Sequence, residues 1–436
     1  MGCHAVRLLY VANDFDLDPS AACGAARRLR GLSDGLADLG HEVILLSPLP
    51  IDRASAVHRL LPAGCPPAEQ LCGLLTPYLS GCGLADRLTA PIRPLMYSAW
   101  AGRAALAALS DTPIDAVVEH YAPLSHVGID LAAALDVPLL VDAAAPLRGA
   151  RSVDLSSPLG ELASAIDRRL LTRADVILAS SASQAGGLVG CGASADRIQL
   201  APGGVDGAGR AGRRKPALPR AGGDGADPFV VAWIVPFDSP GTFERLRSTW
   251  TELLARHRRT RPLVIAAPSA HEGLRDSARH DGFDEAVTVS DASPDDERFG
   301  ELLNGVDAAV VDAPPDDLPN LDPQILLDCL ASGACTLAPR VESVEELISD
   351  GSTGLLFNAG QPGDLLAKLE RVRTLAALQR RLAAHALEFV GRRHTWPQVA
   401  RSLTAWIRAA VDGRSNLAAN APLGPIVDAR LMRIAS

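Results

Sequence analysis

The chain has 436 residues, 47% of them apolar and 4% aromatic, with 42 basic against 51 acidic residues and a formal net charge of −9. This length predicts two or three domains, with cores built from Ala, Leu, Val and Ile. The acidic balance argues against a nucleic-acid partner, which needs clustered positive charge, and no apolar run reaches the roughly 18 residues of a membrane-spanning helix.

The N-terminus runs straight into a strand, without the regions of a signal peptide, so the cytoplasm is the expected compartment. Val6–Ala12 (VRLLYVA) reads as a fully buried strand. The loop Asn13–Ser20 follows. Its alternating carboxylates lack the glycine turn and closing glutamate of a cation loop, so no metal is expected there. Cys23–Leu39 has helical spacing, with Leu29, Leu32, Leu36 and Leu39 on one side and Gly40 at the C′ position. Val43–Leu46 completes a βαβ unit. Ile51–Ala90 mixes Pro, Gly and Cys with Leu and predicts short helices and loops. It has no clean basic amphipathic face, yet leaves peripheral membrane contact open. Leu95–Leu109 is a predicted helix, Ala116–Glu119 a strand, Val127–Leu135 a helix and Val137–Val141 a strand. Leu159–Thr172 is an amphipathic helix, Val176–Ala179 a strand, Ser183–Gly190 a short helix and Ile198–Ala201 the last strand of this half.

Gly207–Asp227 is a Gly/Ala/Arg/Pro linker without periodicity. Phe229–Val235 restarts the pattern as a buried strand. Then come Phe243–His257 (helix), Leu263–Ala267 (strand), Gly273–His280 (helix), Ala286–Val289 (strand), a helix near Arg298–Leu303 and the strand Ala308–Val311. The most informative stretch is Pro319–Phe357. It predicts a helix carrying Asp328, a Ser332-Gly333 break, a strand at Ala334–Ala338, a second helix start and a Gly-bounded turn. Leu365–Phe389 reads as one long helix, Trp396–Val411 as the last helix and Asp412–Ser436 as a tail. Eight cysteines are scattered without CxxC pairs, so neither zinc spacing nor a disulfide framework is expected. Two βα halves make a two-lobed α/β protein, with a ligand expected between the lobes at the carboxyl edges of the strands. A carboxylate beside such an edge grips a nucleotide ribose, which makes Asp328 the first candidate.

Several segments, in this order, resemble family 4 glycosyltransferases of the GT-B fold. LLYVANDFDLDPSAACGAARRLRGLSDGLADLGHEVILLSP is similar to the family's opening strand, Gly-rich loop, helix and "GHEV" entry. DAVVEHYAPLSHVGIDLAAALDVPLLVDAAAPL resembles its mid-domain segment. RADVILASS and DRIQLAPGGVD resemble "ADxvixxS" and "PNGVD", and ASGACTLAPRVESVEELISDGSTGLLF resembles the donor-domain signature. The resemblance implies two Rossmann-like lobes facing each other across a cleft. Residues 1–206 would form the acceptor lobe, 207–227 the linker, 228–390 the nucleotide-sugar donor lobe, 391–411 a C-terminal helix packing back toward the first lobe, and 412–436 the tail.

The activity implied is that of a retaining, metal-independent glycosyltransferase, moving a hexosyl-type sugar from a nucleotide diphosphate sugar to an acceptor hydroxyl. The acceptor would be a sugar, a lipid-linked sugar or a small molecule, as in bacterial polysaccharide, glycolipid or metabolite glycosylation. The nucleotide sugar is a co-substrate and no cofactor is implied, because helix N-termini and basic side chains balance the diphosphate. Carried onto this chain, Gly24 lies in the first loop, where backbone approaches the donor phosphates. Asp328 would hold the ribose and Glu346 matches the glutamate of the family's "PELV" turn. Asp322 opens a variant "SPxKxxE" pattern, and Arg340, which follows the next strand, and Arg27 and Arg28, which begin the first helix, are the candidate stand-in cations. His120 and Asp142 end two first-lobe strands and are the candidates for contact with the acceptor or reacting sugar. His41 and His394 read as packing residues.

The donor-phosphate motif departs from the family. The "GRLxxxKG" loop reads AWIVPFDSPG, which aligns Trp233 with the Arg and Asp238 with the Lys. Asn320 stands for the first glutamate of the pair, and Gly203 for the Asn of "PNGVD". A cation within ~4 Å of an anion is worth about 4 kcal/mol at an effective dielectric of 20. Its loss leaves a second reading open: a GT-B protein that binds a ligand or partner without sugar transfer.

Overall fold

The computed structural model describes residues 5–14, 24–48, 59–61, 70, 73–74, 85–143, 158–206, 228–235, 240–266, 270–283, 285–290, 292, 297–313 and 321–413. The expected linker 207–227 and the tail beyond Gly413 lie outside them. The chain divides into two units. One comprises residues 1–21, 25–202 and 396–436, the other residues 22–24 and 203–395.

The first unit is built from β1 (Arg7–Ala12), α1 (Gly24–Asp38), β2 (Glu42–Leu46), β3 (Arg59–Leu61), α2 (Ala85–Ala108), β4 (Ala116–His120), α3 (Val127–Leu135), β5 (Leu139–Asp142), α4 (Pro158–Arg173), β6 (Val176–Ala179), α5 (Ala182–Gly190) and β7 (Ile198–Leu200). The strands are parallel in the order β3-β2-β1-β4-β5-β6-β7. Both faces are covered by helices, which is why the strands read as continuous apolar runs. The winding reverses between β1 and β4, and the crevice outside such a switch point is the usual ligand site of an open α/β sheet. Local signals set the boundaries. Gly40 takes φ +82° just after α1, and the Ser181 hydroxyl accepts the Gln184 N–H at 3.1 Å at the start of α5.

The second unit has β8 (Phe229–Val235), α6 (Pro240–Arg256), β9 (Thr260–Ala266), α7 (His271–His280), β10 (Thr288–Ser290), α8 (Glu297–Leu303), β11 (Ala308–Val311), α9 (Pro323–Ala331), β12 (Cys335–Pro339), α10 (Glu342–Glu345), β13 (Leu355–Phe357), α11 (Pro362–Thr374) and α12 (Ala376–Arg393). Its parallel order is β10-β9-β8-β11-β12-β13. The winding reverses between β8 and β11, so the β11–α9 connection leaves the sheet at the switch point. Among the described residues no helix is long and apolar enough to cross a membrane.

The last helix, α13 (Trp396–Val411), belongs with the first unit. It packs on α1, where an added Cβ on Gly31 would fall 2.2 Å from the Trp396 ring and one on Gly35 2.8 Å from Ala400 Cβ. His41 fastens the same helix. Its Nδ1 accepts the Val6 N–H at 3.0 Å, so the ring proton sits on Nε2, 3.2 Å from Thr404 Oγ1. The Thr404 hydroxyl in turn donates to the Ala400 carbonyl.

Three sequence expectations are corrected. β3 lies inside the stretch read as short helices and loops. α2 begins ten residues before Leu95 and runs through Pro91 and Pro94; burial of Tyr97, Ala101 and Ala105 against the sheet outweighs the helix-breaking tendency of proline. The long helix predicted over Leu365–Phe389 is two helices parted at Leu375, with φ −109° and ψ 75°. The Thr374 hydroxyl donates back to the carbonyls of Glu370 and Arg371, a contact that competes with helix continuation.

Gly31→Leu is expected to lower the unfolding free energy by about 1–3 kcal/mol, because the side chain must displace Trp396. Urea denaturation measures this, and an unchanged midpoint would contradict the α1–α13 contact.

Candidate functional site

At the switch point of the first sheet, two polar clusters occupy opposite faces. His120 and Asp142 are register partners at the ends of β4 and β5. Tyr10 of β1 shares their face, and its hydroxyl donates to Asp142 Oδ2 at 3.0 Å. From α1, Arg28 reaches across. Its Nε lies 3.0 and 2.9 Å from the two Asp142 oxygens, its Nη2 2.9 Å from Oδ1, and its Nη1 donates to the Ala201 carbonyl at 2.9 Å. Asp142 and Tyr10 are fully buried, and Arg28 and His120 nearly so. Burial alone would push the Asp142 carboxyl up. The Arg28 guanidinium, with help from His120, outweighs it and holds Asp142 well below the usual carboxylate range. Burial and the Asp142 charge push the Tyr10 hydroxyl well above its ordinary value. His120 Nδ1 stands 4.0 Å from Asp142 Oδ2, beyond hydrogen-bond length.

This arrangement revises the role expected of Asp142. Its carboxylate is the buried counter-ion of Arg28 and the acceptor of Tyr10, and it ties α1 to the sheet. Arg28, considered in the sequence as a stand-in cation for a diphosphate, is the other half of that pair. Helical spacing carried the signal: Arg28 precedes Leu32 by one turn and so lies on the face α1 buries, and a buried guanidinium requires a carboxylate.

The other face holds a cluster that sequence reasoning missed. Glu119 of β4 is fully buried and accepts the Ser125 hydroxyl. Asn13, at the exit of β1, donates through Nδ2 to Ser125 Oγ at 3.0 Å, Ser98 Oγ at 2.7 Å and the Pro94 carbonyl at 3.3 Å. Burial pushes the Glu119 carboxyl up to about 7, against the lowering effect of Ser125 and of the Gly128 backbone. A carboxylate in the otherwise apolar strand AVVEH was the available signal.

In the second unit the candidates gather on α9. Asp322 caps the helix, its Oδ1 accepting the Gln324 N–H at 2.9 Å, with Pro323 following. Gln324 is buried, and its Nε2 donates to the Gly204 carbonyl at 2.9 Å and lies 3.4 Å from Asp328 Oδ1. Gly203 adopts φ +125°, and a Cβ there would fall 2.6 Å from Gln324 Oε1, so the PGGVD turn requires glycine. Asp328 is half-buried one turn beyond Gln324. Glu346 ends the short α10 and is half-buried. Arg340 is exposed and paired with Glu345 at 3.2 Å and with Asp350, so it is not a bare cation. Gly24 is the first residue of α1. His394 packs its ring 5.0 Å from that of Phe389, and its carbonyl accepts the Val205 N–H at 2.8 Å. Burial brings its imidazole down to about 4. Among the described residues no three His, Cys, Asp or Glu side chains cluster so as to hold a metal.

Trp233 is corrected outright. It lies mid-strand in β8 beside Val264 and Val310, fully buried with Trp250. No donor-phosphate cation could occupy that position. The loop that leaves β8, with Asp238, lies outside the described residues, as does Asn320.

The comparisons with known proteins agree with this architecture. A glycosyl transferase 4-like domain model matches residues 23–204, and a glycosyl transferase-like model matches residues 322–405. The chain belongs to the family 4, group 1 glycosyltransferases of the GT-B fold. It is 28% identical over 307 residues to a D-inositol 3-phosphate glycosyltransferase of Nocardia farcinica. That match covers 66% of this chain and 62% of the relative's length, less than two thirds of it. Among solved structures it is similar to a sucrose-phosphate synthase of Thermosynechococcus elongatus, with TM-score 0.64 and 17% identity over 94% of this chain and all of that one. It is also similar to HepE of Anabaena, solved with UDP and glucose, with TM-score 0.58 and 12% identity over 93% of this chain and all of that one. In this family member, the glycosyltransferase-like model begins at Asp322, the α9 cap, so the helix carrying Gln324 and Asp328 lies inside the matched domain.

Two outcomes test the first-unit clusters. Arg28→Met should cost about 3–5 kcal/mol, because it leaves the Asp142 charge dry and unpaired. Adding Asp142→Leu should restore most of that loss in urea denaturation. For Glu119, the unfolded carboxyl titrates near 4.5 and the folded one at about 7. The folded state holds its proton more tightly, so this contribution to stability is full below pH 4.5 and is lost as pH rises to 7. Glu119→Gln should therefore gain up to about 3 kcal/mol on the wild type across that window. Parallel pH–stability curves for the two proteins would contradict the burial.

Proposed function

We propose that this protein is a retaining glycosyltransferase that moves a sugar from a nucleotide diphosphate sugar to an acceptor hydroxyl. The observation that carries the reading is the match of both halves to glycosyltransferase domain models. Asp328 takes the ribose hydroxyls, from a helix that leaves the second sheet at its switch point. Gln324 holds the PGGVD turn against the same helix. On the first unit His120 faces the acceptor or the reacting sugar, with Asp142 supporting the fold around it. Asp322 acts as the cap of α9, and Glu346 borders the donor sugar. The HepE structures contain UDP and UDP-glucose, which makes uridine nucleotide sugars the first donors to try.

The runner-up is a member that binds ligand without transfer. It is favoured by one observation: two of the three arginines put forward as substitute phosphate ligands, Arg28 and Arg340, are held by carboxylates.

A thermal-shift scan with UDP-, GDP- and ADP-sugars tests the reading. A ligand at a hundred times its dissociation constant adds about 2.7 kcal/mol of stability. One nucleotide class should shift the melting temperature, with release of free sugar on incubation; a shift without sugar release supports the runner-up. No shift with any nucleotide sugar would reject the donor assignment. Asp328→Ala should abolish the shift while leaving the ligand-free melting temperature near that of the wild type, and undiminished affinity in that variant would reject the ribose role.

A further inference from the structure

The acid in the core of the first unit has no place in the reading above. Glu119 sits between two loops that leave the sheet on either side of its switch point. One begins at Asn13 after β1; the other is residues 121–126 after β4. The Ser125 hydroxyl of the second loop donates to Glu119, and Asn13 of the first donates to the same hydroxyl and to Ser98 of α2. The His126 N–H reaches Ser98 Oγ at 3.4 Å, which closes the circuit from loop to helix. Asn13, Ser98, Glu119 and Ser125 are all at or below 1% exposure. Glu119 also presses on the first turn of α3, where a Cβ on Gly128 would fall 2.4 Å from Oε2. A dry network of this kind loosens as a unit when one member is lost, and here Asn13 Oδ1 and Glu119 Oε2 are already buried without a hydrogen-bond partner. His120, the next residue of the same strand, projects from the opposite face at the same edge.

We propose that Glu119 is a positioning residue: through Ser125, Asn13 and Ser98 its carboxyl fixes the two loops at the first-sheet switch point and so sets the geometry of the edge that carries His120. The role of that edge in taking substrate rests on the glycosyltransferase reading; the tie between the loops does not. Burial outweighs the Ser125 hydrogen bond and keeps the Glu119 carboxyl protonated up to about 7, so the closed network is favoured while the proton is held and strained once the group ionises. The titratable groups that bear on Glu119 are His120 of its own strand and Asp130 of α3, the latter 2.8 Å from His126. Those that reach it from β1 and α2 are the uncharged Asn13 and Ser98.

Hydrogen exchange on the full-length protein tests this between pH 6 and 8, with rates corrected for intrinsic exchange. Wild-type amides of residues 121–126 should lose about tenfold protection as pH rises, because opening hydrates the carboxyl and the closed state holds its proton more tightly. Glu119→Gln keeps a neutral acceptor and should give a flat profile, and Ser125→Ala should lose the protection throughout. A pH-independent wild type, or a Glu119→Gln protein that still shows the step, would overturn the proposal. With whichever UDP-, GDP- or ADP-sugar releases sugar, kcat should fall over the same interval in the wild type and not in Glu119→Gln. A flat wild-type kcat beside a stepped exchange profile would reduce Glu119 to a structural acid and overturn its positioning role. If no nucleotide sugar binds, the glycosyltransferase reading fails, and hydrogen exchange alone decides the tie between the loops.

Discussion

Charge held in a dry interior is the constraint on which the first unit depends. Asp142 stands at the tip of β5 with no solvent contact, and its ionised form is tolerable only because Arg28 brings a guanidinium onto it and Tyr10 a hydroxyl. The pair joins α1 to the central strands, and the Ala201 carbonyl extends the tie to the exit of β7. On the same side of the sheet, α13 docks on α1 through glycines that admit a tryptophan ring. The position of α1 is therefore over-determined, and with it the start of the helix where Gly24 lies. The Glu119 cluster does for the loops what the Arg28 pair does for the helix, with hydrogen bonds in place of a full charge.

The second unit reaches its arrangement by other means. Its candidate groups lie near the surface of α9, and their order comes from backbone geometry rather than buried charge. A capping aspartate, a proline and a buried glutamine fix the first turn of the helix, and a glycine at positive φ lets the PGGVD turn lie against it. The contrast is chemically reasonable. A ribose-binding carboxylate has to remain available to solvent and ligand, whereas a carboxylate that holds a fold together has to be saturated.

Much of the fold was legible because parallel strands covered on both faces leave an unmistakable apolar run. Val176–Ala179, Phe229–Val235 and Ala308–Val311 could be bounded from composition alone. β3 could not, because three residues in an irregular stretch give no period. The break at Leu375 carries neither proline nor glycine, so no local residue signalled it. In the second unit the local contacts were legible, because Asp322 and Asp328 are four or fewer residues from the groups they meet. In the first unit they were not. Asp142 is paired with a residue 114 positions earlier, and a local pattern cannot distinguish a carboxylate open to ligand from one already claimed. Trp233 was misplaced for a related reason: a motif slid by a few residues exchanges a loop position for a core position.

The proposed ribose contact of Asp328 is the point at which fold, family and chemistry meet. A crystal structure of the protein with the nucleoside diphosphate that stabilises it most tests this directly. The account predicts a ribose hydroxyl within about 2.7–3.2 Å of an Asp328 carboxylate oxygen, beside the first turn of α9. A nucleotide bound elsewhere on the chain, or bound there with Asp328 turned away from the sugar, would contradict it.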